Sequence, residues 1–170
     1  VIFASDNGGP MHSRNEPFSG RKGTTYEGGI RVPCLMRWPE KLPAGRESLQ
    51  VGITMDLTAS ILTLAGAKPP ANHPLDGIDI VAHVRQDKPD TPRTLFWRQR
   101  RGENTWRGVR DGDLKLVSRQ EGNQRQDWLF DLAADRAEKA DLYASQPADR
   151  ERLRGLLARW EEEVKPNRLP

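Results

Sequence analysis

Val1-Ile2-Phe3-Ala4-Ser5-Asp6-Asn7-Gly8-Gly9 is the stretch on which the fold turns. Four apolar, β-prone residues run without a break toward a carboxylate, an amide and two glycines. A continuous apolar strand ending in polar and Gly residues is the pattern of a buried parallel strand meeting its functional loop. Such a strand needs neighbours on both sides, and no segment before it supplies them. The expectation is an α/β fold of which this chain forms the C-terminal part.

Outward from that strand, residues 8 to 33 are glycine-rich with no helical periodicity and read as one long loop, and long ordered loops are usually functional. Cys34-Leu35-Met36-Arg37-Trp38 reads as the next strand, closed by Pro39. Between Asp56 and Ala65, Leu57, Ile61, Leu62 and Leu64 fall close to helical spacing, and Gly66 stands where a C′ residue should. Pro69-Pro70 through Pro74 is a stiff connection, and Ile78 to Val84 reads as a short helix. After Pro89 to Pro92 the character changes. Thr94–Arg101, Thr105–Arg110, Leu114–Arg119 and Trp128–Asp131 read as four short strands, with tight-turn chemistry at Asp111-Gly112. Pro147 then opens a helix whose Leu153, Leu156, Leu157, Trp160 and Val164 form one stripe. The division expected is residues 1–88 as α/β body and residues 89–170 as a small antiparallel sheet covered by a terminal helix, with no internal repeat.

Composition narrows the function classes. In 170 residues, 30% are charged and 35% hydrophobic, and the mean hydropathy is −0.77. No apolar run approaches the roughly 20 residues of a membrane span. A single cysteine excludes an internal disulfide framework and any multi-cysteine metal site. The net charge of +3 favours anionic partners only weakly. Arg98, Arg100 and Arg101 lie near Trp97 and Trp106, but no nucleic-acid motif accompanies them. They read as a solvated strand edge, and no nucleic-acid partner is expected.

Asp6 and Asn7 are the strongest local candidates for chemistry. A carboxylate beside an amide at a strand end offers two hard oxygen ligands, suited to Ca²⁺ or Mg²⁺. Two ligands cannot complete a six- or seven-coordinate site, and a strand-ending Asp-Asn-Gly turn accounts for the same residues. Gly8 and Gly9 would let the backbone approach a ligand closely. Lys22 lies in Gly20-Arg21-Lys22-Gly23-Thr24-Thr25-Tyr26-Glu27-Gly28-Gly29. Flanking glycines can present its ammonium to an anionic oxygen, although a lysine in a Gly loop is more often simply solvated. A Walker A loop is excluded, because Lys22 is followed by Gly.

The opening nonapeptide, followed by Asn15-x-Pro17-Phe18-x-Gly20-x-Lys22-Gly23-Thr24-x-Tyr26-Glu27-Gly28-Gly29-Ile30-Arg31-Val32-Pro33, resembles the C-terminal half of a type I, formylglycine-dependent sulfatase of the alkaline phosphatase superfamily. Asp56-Leu57 through Leu64-Ala65-Gly66, Leu75-Asp76-Gly77, Val109-Arg110-x-Gly112-Asp113-x-Lys115-Leu116 and Leu129-Phe130-Asp131-Leu132 continue the resemblance in order. It implies the C-terminal portion of an alkaline-phosphatase-like sulfatase fold, carrying the small sheet-and-helix subdomain. It implies sulfate-ester hydrolysis, with Asp6 and Asn7 as ligands of an active-site Ca²⁺ (Mg²⁺ as the substitute) and Lys22 as the catalytic, sulfate-contacting residue. Glu27 and Arg31 match positions that shape the loop. The partners implied are a sulfated small molecule or glycan and the missing N-terminal part of the same protein, which would bring the formylglycine. The family is often exported or lysosomal.

The departures bear equally on function. The formylglycine precursor is a Cys or Ser in Cys/Ser-x-Pro/Ala-x-Arg, and Pro33-Cys34-Leu35-Met36-Arg37 lacks that pattern. Cys34 therefore reads as a buried core residue, and this chain alone as a half-site without turnover. His12 reads as a solvated loop histidine, and His73 and His83 as structural or exposed. Arg110 and Lys115 flank a hairpin turn, where a solvated or strand-pairing role is expected. Two other readings stay open. One is a phosphate- or phosphonate-ester hydrolase of the same superfamily; the other is a non-catalytic fragment that binds sulfated glycans through the tryptophans near Arg98–Arg101. The flank of the Val1 strand is an edge that could pair with another chain.

Overall fold

The computed structural model describes residues 1–69, 72–86 and 88–164. In chain order the elements are β1 (Ile2–Ala4), α1 (Glu27–Ile30), β2 (Cys34–Met36), α2 (Thr54–Leu64), α3 (Ile80–Arg85), β3 (Thr94–Arg101), β4 (Asn104–Asp111), β5 (Leu114–Glu121), β6 (Gln124–Asp131) and α4 (Pro147–Glu163). They fall into two units, Val1–Asp6 with Pro33–Thr91, and Asn7–Val32 with Pro92–Pro170. The loop expected to belong with the α/β body thus groups with the antiparallel sheet.

In the first unit, β1 pairs antiparallel with β2, Phe3 opposite Leu35. Two expectations are corrected here. The Val1 strand is neither parallel nor buried: all three residues of β1 are exposed. Cys34 is exposed as well, not a core residue. The reason is common to both, since strand alternation alone cannot bury a residue, and of β1 and β2 only Met36 is even partly covered. The apolar character of the sequence was read correctly; its burial needs surface that β1 and β2 do not find in this unit.

The α2 helix is built as its sequence suggests. The Asp56 carboxylate accepts the Ile53 N–H (2.7 Å) at the helix start and the Ile78 N–H (2.9 Å) across the unit. Ser60 donates to the Asp56 carbonyl (2.7 Å) while its hydroxyl accepts the Ile80 N–H (2.9 Å). Two buried polar side chains therefore dock the start of α3 onto α2. Gly77 permits the approach, because a Cβ there would stand 2.3 Å from the Met55 carbonyl oxygen. Gly66 follows the C-cap Ala65 with φ +69°, the left-handed conformation of a C′ glycine. Within the Pro69–Pro74 connection, Pro70 and Ala71 lie outside the described residues.

In the second unit β3 to β6 form a meander in sequential order. Each strand has eight residues, and Gly102, Gly112 and Gly122 occupy the first position of the three connecting turns with φ between +55° and +62°. Gly at that position is what a two-residue II′ hairpin requires. The turn glycines recur every ten residues, a periodicity within the meander where no internal repeat was expected. β6 begins at Gln124, four residues before the expected Trp128, because backbone pairing with β5 carries it beyond its apolar segment.

Both faces of this sheet are covered. Val109, Leu116 and Leu129 pack against Leu153 and Leu157 of α4, with Phe96 stacked on Trp160 at 5.1 Å. Val117, Phe130 and Leu132 on the opposite face pack with Tyr26, Trp106 and Trp128. Tyr26 comes from the loop after Asn7. That loop is the second cover, and its attachment positions the candidate site.

Candidate functional site

Glycines close the neck of the Asn7–Val32 loop. The Gly8 N–H donates to the Gly29 carbonyl (2.9 Å), and the Lys22 N–H donates to the Gly9 carbonyl (2.9 Å). Asn15 braces the same point, its Oδ1 accepting the Gly9 N–H (3.0 Å) and its Nδ2 donating to the Gly9 carbonyl (3.1 Å). A Cβ on Gly8 would lie 1.9 Å from the Gly28 carbonyl oxygen, and one on Gly29 would lie 2.3 Å from that of Thr24. Within its unit, Gly8 admits the close approach of the α1 backbone.

Of the residues singled out in the sequence, Lys22 is exposed and its backbone is tethered to Gly9. Asn7 is half-buried at the loop's start, immediately before Gly8. Asp6 is exposed just beyond β1, in the first unit. His12 is exposed in the loop, as expected of a solvated histidine, and His73 is exposed. His83 is buried, its Nε2 3.6 Å from Asp90 Oδ1. One carboxylate and one amide oxygen are hard donors that fit Ca²⁺ or Mg²⁺ in kind. Among the described residues no three His, Cys, Asp or Glu side chains converge as a metal-holding group.

The loop is fastened to the sheet by charge. Lys115, on the loop-facing side of β5, is fully buried, and its Nζ donates to Glu27 Oε1 (2.7 Å) and to Glu138 Oε1 (2.8 Å). Glu138 Oε2 accepts the Glu27 N–H (2.6 Å), which the first turn of α1 would otherwise leave without a partner. Glu27 Oε2 lies 3.4 Å from Arg31 Nη1. Thr25 adds a neutral hook, its hydroxyl donating to the Arg107 carbonyl (2.8 Å) beside Gly108. Of the solvated or strand-pairing role expected of Lys115, the solvated reading is therefore wrong, while the residue does pair within the sheet, opposite Arg110 and Phe130. Strand alternation puts it on the face that the loop roofs, and two carboxylates remote in sequence compensate its charge.

Burial pushes the Glu138 carboxyl above the usual range even though Lys115 and the Glu27 N–H pull the other way. Tyr26, set among Trp106, Trp128 and Phe130 at ring distances of 5.7 to 5.9 Å, is pushed up to about 12, by burial first and by Glu138 and Asp141 next. Beside it, Met11, Phe18, Arg21 and Glu138 are among the residues lining an open cleft of about 620 Å³.

Sequence reasoning missed Lys115 and Glu138. The signal for Lys115 was its place in Leu114-Lys115-Leu116-Val117, where consecutive apolar residues imply that both strand faces are covered. Glu138 had no signal. Arg110 behaves as expected, its Nε donating to the Gly112 carbonyl (2.9 Å) within the hairpin. Arg98 lies over Trp160 and 3.7 Å from Glu161, on the α4 side, whereas Trp97 approaches Gly108 on the loop side. Alternation along β3 separates the arginine and the tryptophan that sequence proximity suggested as one surface.

Residues 1–67 match the Sulfatase family model. The chain is 41% identical over 103 residues to N-acetylgalactosamine-6-sulfatase of Sus scrofa, covering 57% of this chain and 20% of that protein. It is 33% identical over 191 aligned positions to arylsulfatase of Chlamydomonas reinhardtii, covering 93% of this chain and 29% of that protein. The crystal structure of Ps i-CgsB superposes with a TM-score of 0.83 at 29% identity, over 96% of this chain and 36% of that one. The chain belongs to the sulfatase family, and its fold is alkaline-phosphatase-like. It spans between about a fifth and a third of the length of these curated relatives.

Proposed function

We propose that this chain is the C-terminal part of a sulfuric ester hydrolase, in which Asp6 and Asn7 donate oxygens to a divalent cation and Lys22 contacts the sulfate. The observation that supports it best is the 2.9 Å bond from the Lys22 N–H to the Gly9 carbonyl. It keeps the cation-bearing residue at the same loop neck from which Asn7 emerges. When bound, Ca²⁺ or Mg²⁺ polarises sulfate oxygens, and a formylglycine in the preceding part of the protein supplies the nucleophile. The Lys22 ammonium then neutralises negative charge on the sulfate oxygens as the ester bond breaks. Asn15 and the glycine backbone hold the neck against displacement. By itself the chain is a half-site and turns over nothing.

A sulfated glycan is the substrate class we favour over a small sulfated molecule. The relative in Sus scrofa is an N-acetylgalactosamine-6-sulfatase, and Ps i-CgsB has been crystallised with k-i-k-neocarrahexaose. The test compares aryl sulfate with aryl phosphate hydrolysis by the full-length protein. Preference for sulfate supports the proposal, and preference for phosphate assigns the protein to phosphate- or phosphonate-ester hydrolysis. Release of sulfate from a sulfated oligosaccharide by the same preparation tests the substrate class.

A further inference from the structure

We infer that Lys115 and Glu138 are positioning residues for the site: through Glu27 they fix α1, and α1 in turn sets where Gly8, Gly9 and Lys22 lie. The inference rests on the assignment of Lys22 to sulfate binding, but its geometry is independent of that assignment. Glu138 is the one described residue other than glycine with positive φ, at 55°. Such a conformation is disfavoured for an L side chain and persists where its surroundings over-determine it. Here both carboxylate oxygens are committed, Oε1 to Lys115 and Oε2 to the Glu27 N–H.

An apolar trio of the same volume would fill this space without the desolvation penalty of three charges. What it would lack is direction. The triad anchors a backbone N–H at the first residue of α1, and the rest of the path is backbone. Gly29 of α1 accepts the Gly8 N–H, Gly28 donates to the Ser19 carbonyl (2.7 Å), and a Cβ on Gly29 would meet both the Arg21 and Thr24 carbonyls. Arg21 and Thr24 bracket Lys22. A shift of α1 therefore moves both sides of Lys22 and releases Gly8 at the same time.

The experiment compares Glu138→Ala, Glu138→Gln and the control Leu157→Val in the full-length protein. Gln keeps an acceptor for the Glu27 N–H; Leu157 belongs to α4 and packs on the opposite sheet face. The readouts are amide hydrogen exchange at Gly8 and Lys22, and KM and kcat for an aryl sulfate. Glu138→Ala is expected to speed exchange at both amides by about tenfold or more and to raise KM by a similar factor with a smaller change in kcat. Glu138→Gln should restore most of the protection, and Leu157→Val should leave both readouts near the parent. Unchanged exchange in Glu138→Ala, or equal changes in the control, would overturn the inference. Should Glu138→Ala not fold, Glu27→Gln, which removes the charge facing Lys115 and Arg31 and leaves Glu138 in place, carries the same test by exchange. An enzyme inert toward sulfate esters but with the exchange pattern intact refutes the sulfatase reading and leaves the clamp standing.

Discussion

The Lys115 ammonium lies 2.7 Å from Glu27 Oε1, joining residues 88 positions apart, and both side chains are buried. A strand of the C-terminal sheet thus holds the glycine loop near the start of the chain. Removing Lys115 alone takes the cation from the buried Glu138 carboxylate and leaves Glu27 with the more distant Arg31 at 3.4 Å. Lys115→Ala should therefore cost about 3–5 kcal/mol of stability. Because the pair is buried, the loss measured by denaturant titration should be nearly the same at low and high salt. A loss of only a few tenths of a kcal/mol that vanishes in high salt would mean that the pair behaves as a surface ion pair.

Gly8 and Gly112 separate two reasons for glycine. At Gly8 a methyl group meets the Gly28 carbonyl oxygen at 1.9 Å, so the loop neck must open. At Gly112 nothing lies within 4 Å and only φ +62° opposes a side chain. Gly112→Ala should cost about 1–2 kcal/mol, the ordinary left-handed penalty. Gly8→Ala should cost more and should also release the Gly8 and Lys22 amides to hydrogen exchange. Equal effects at the two positions would contradict the close approach.

Tyr26 gives a pH test. Its folded pKa, about 12, stands above the ordinary value of 10.0 because burial and nearby carboxylates disfavour the phenolate. A raised folded pKa means that the stabilisation is fully present below pH 10 and is lost as pH rises toward 12. Of the two tyrosines, one should show tyrosinate absorbance only at this late stage, and Tyr26→Phe should remove that component. Ionisation of Tyr26 near pH 10 would show that its aromatic surroundings are open to water.

Cys34 is exposed on β2, while local shielding raises its thiol pKa. A maleimide should label this chain without denaturant, at neutral pH more slowly than it labels a small free thiol, since less thiolate is present. Labelling that requires unfolding would return Cys34 to the interior.

The local elements were legible where one period or one cap decides them. The α4 stripe as far as Trp160, the C′ glycine of α2 and the four meander strands, β6 only from Trp128, follow from residue spacing, because their pattern and their partners lie close in sequence; Val164, expected on the stripe, lies past the end of α4 and is exposed. Burial was not legible in the same way. Val1 to Ala4 and Cys34 look like interior residues by type, yet exposure depends on which surface covers them. Lys115 looks like a surface residue by type, yet its compensating charges come from Glu27 and Glu138, whose approach is a tertiary event. For the candidate site, the glycine loop and Lys22 could be named from the sequence, whereas the clamp behind them could not.

The most direct test of the account is the kinetics of Lys22→Met in the full-length protein. Lys22 is exposed and, among the described residues, tied down through its backbone, so the substitution should leave the melting temperature unchanged. If its ammonium meets the sulfate, kcat/KM for an aryl sulfate should fall by about a hundredfold or more. Parent-like kcat/KM in the Lys22→Met enzyme would contradict the account at its centre.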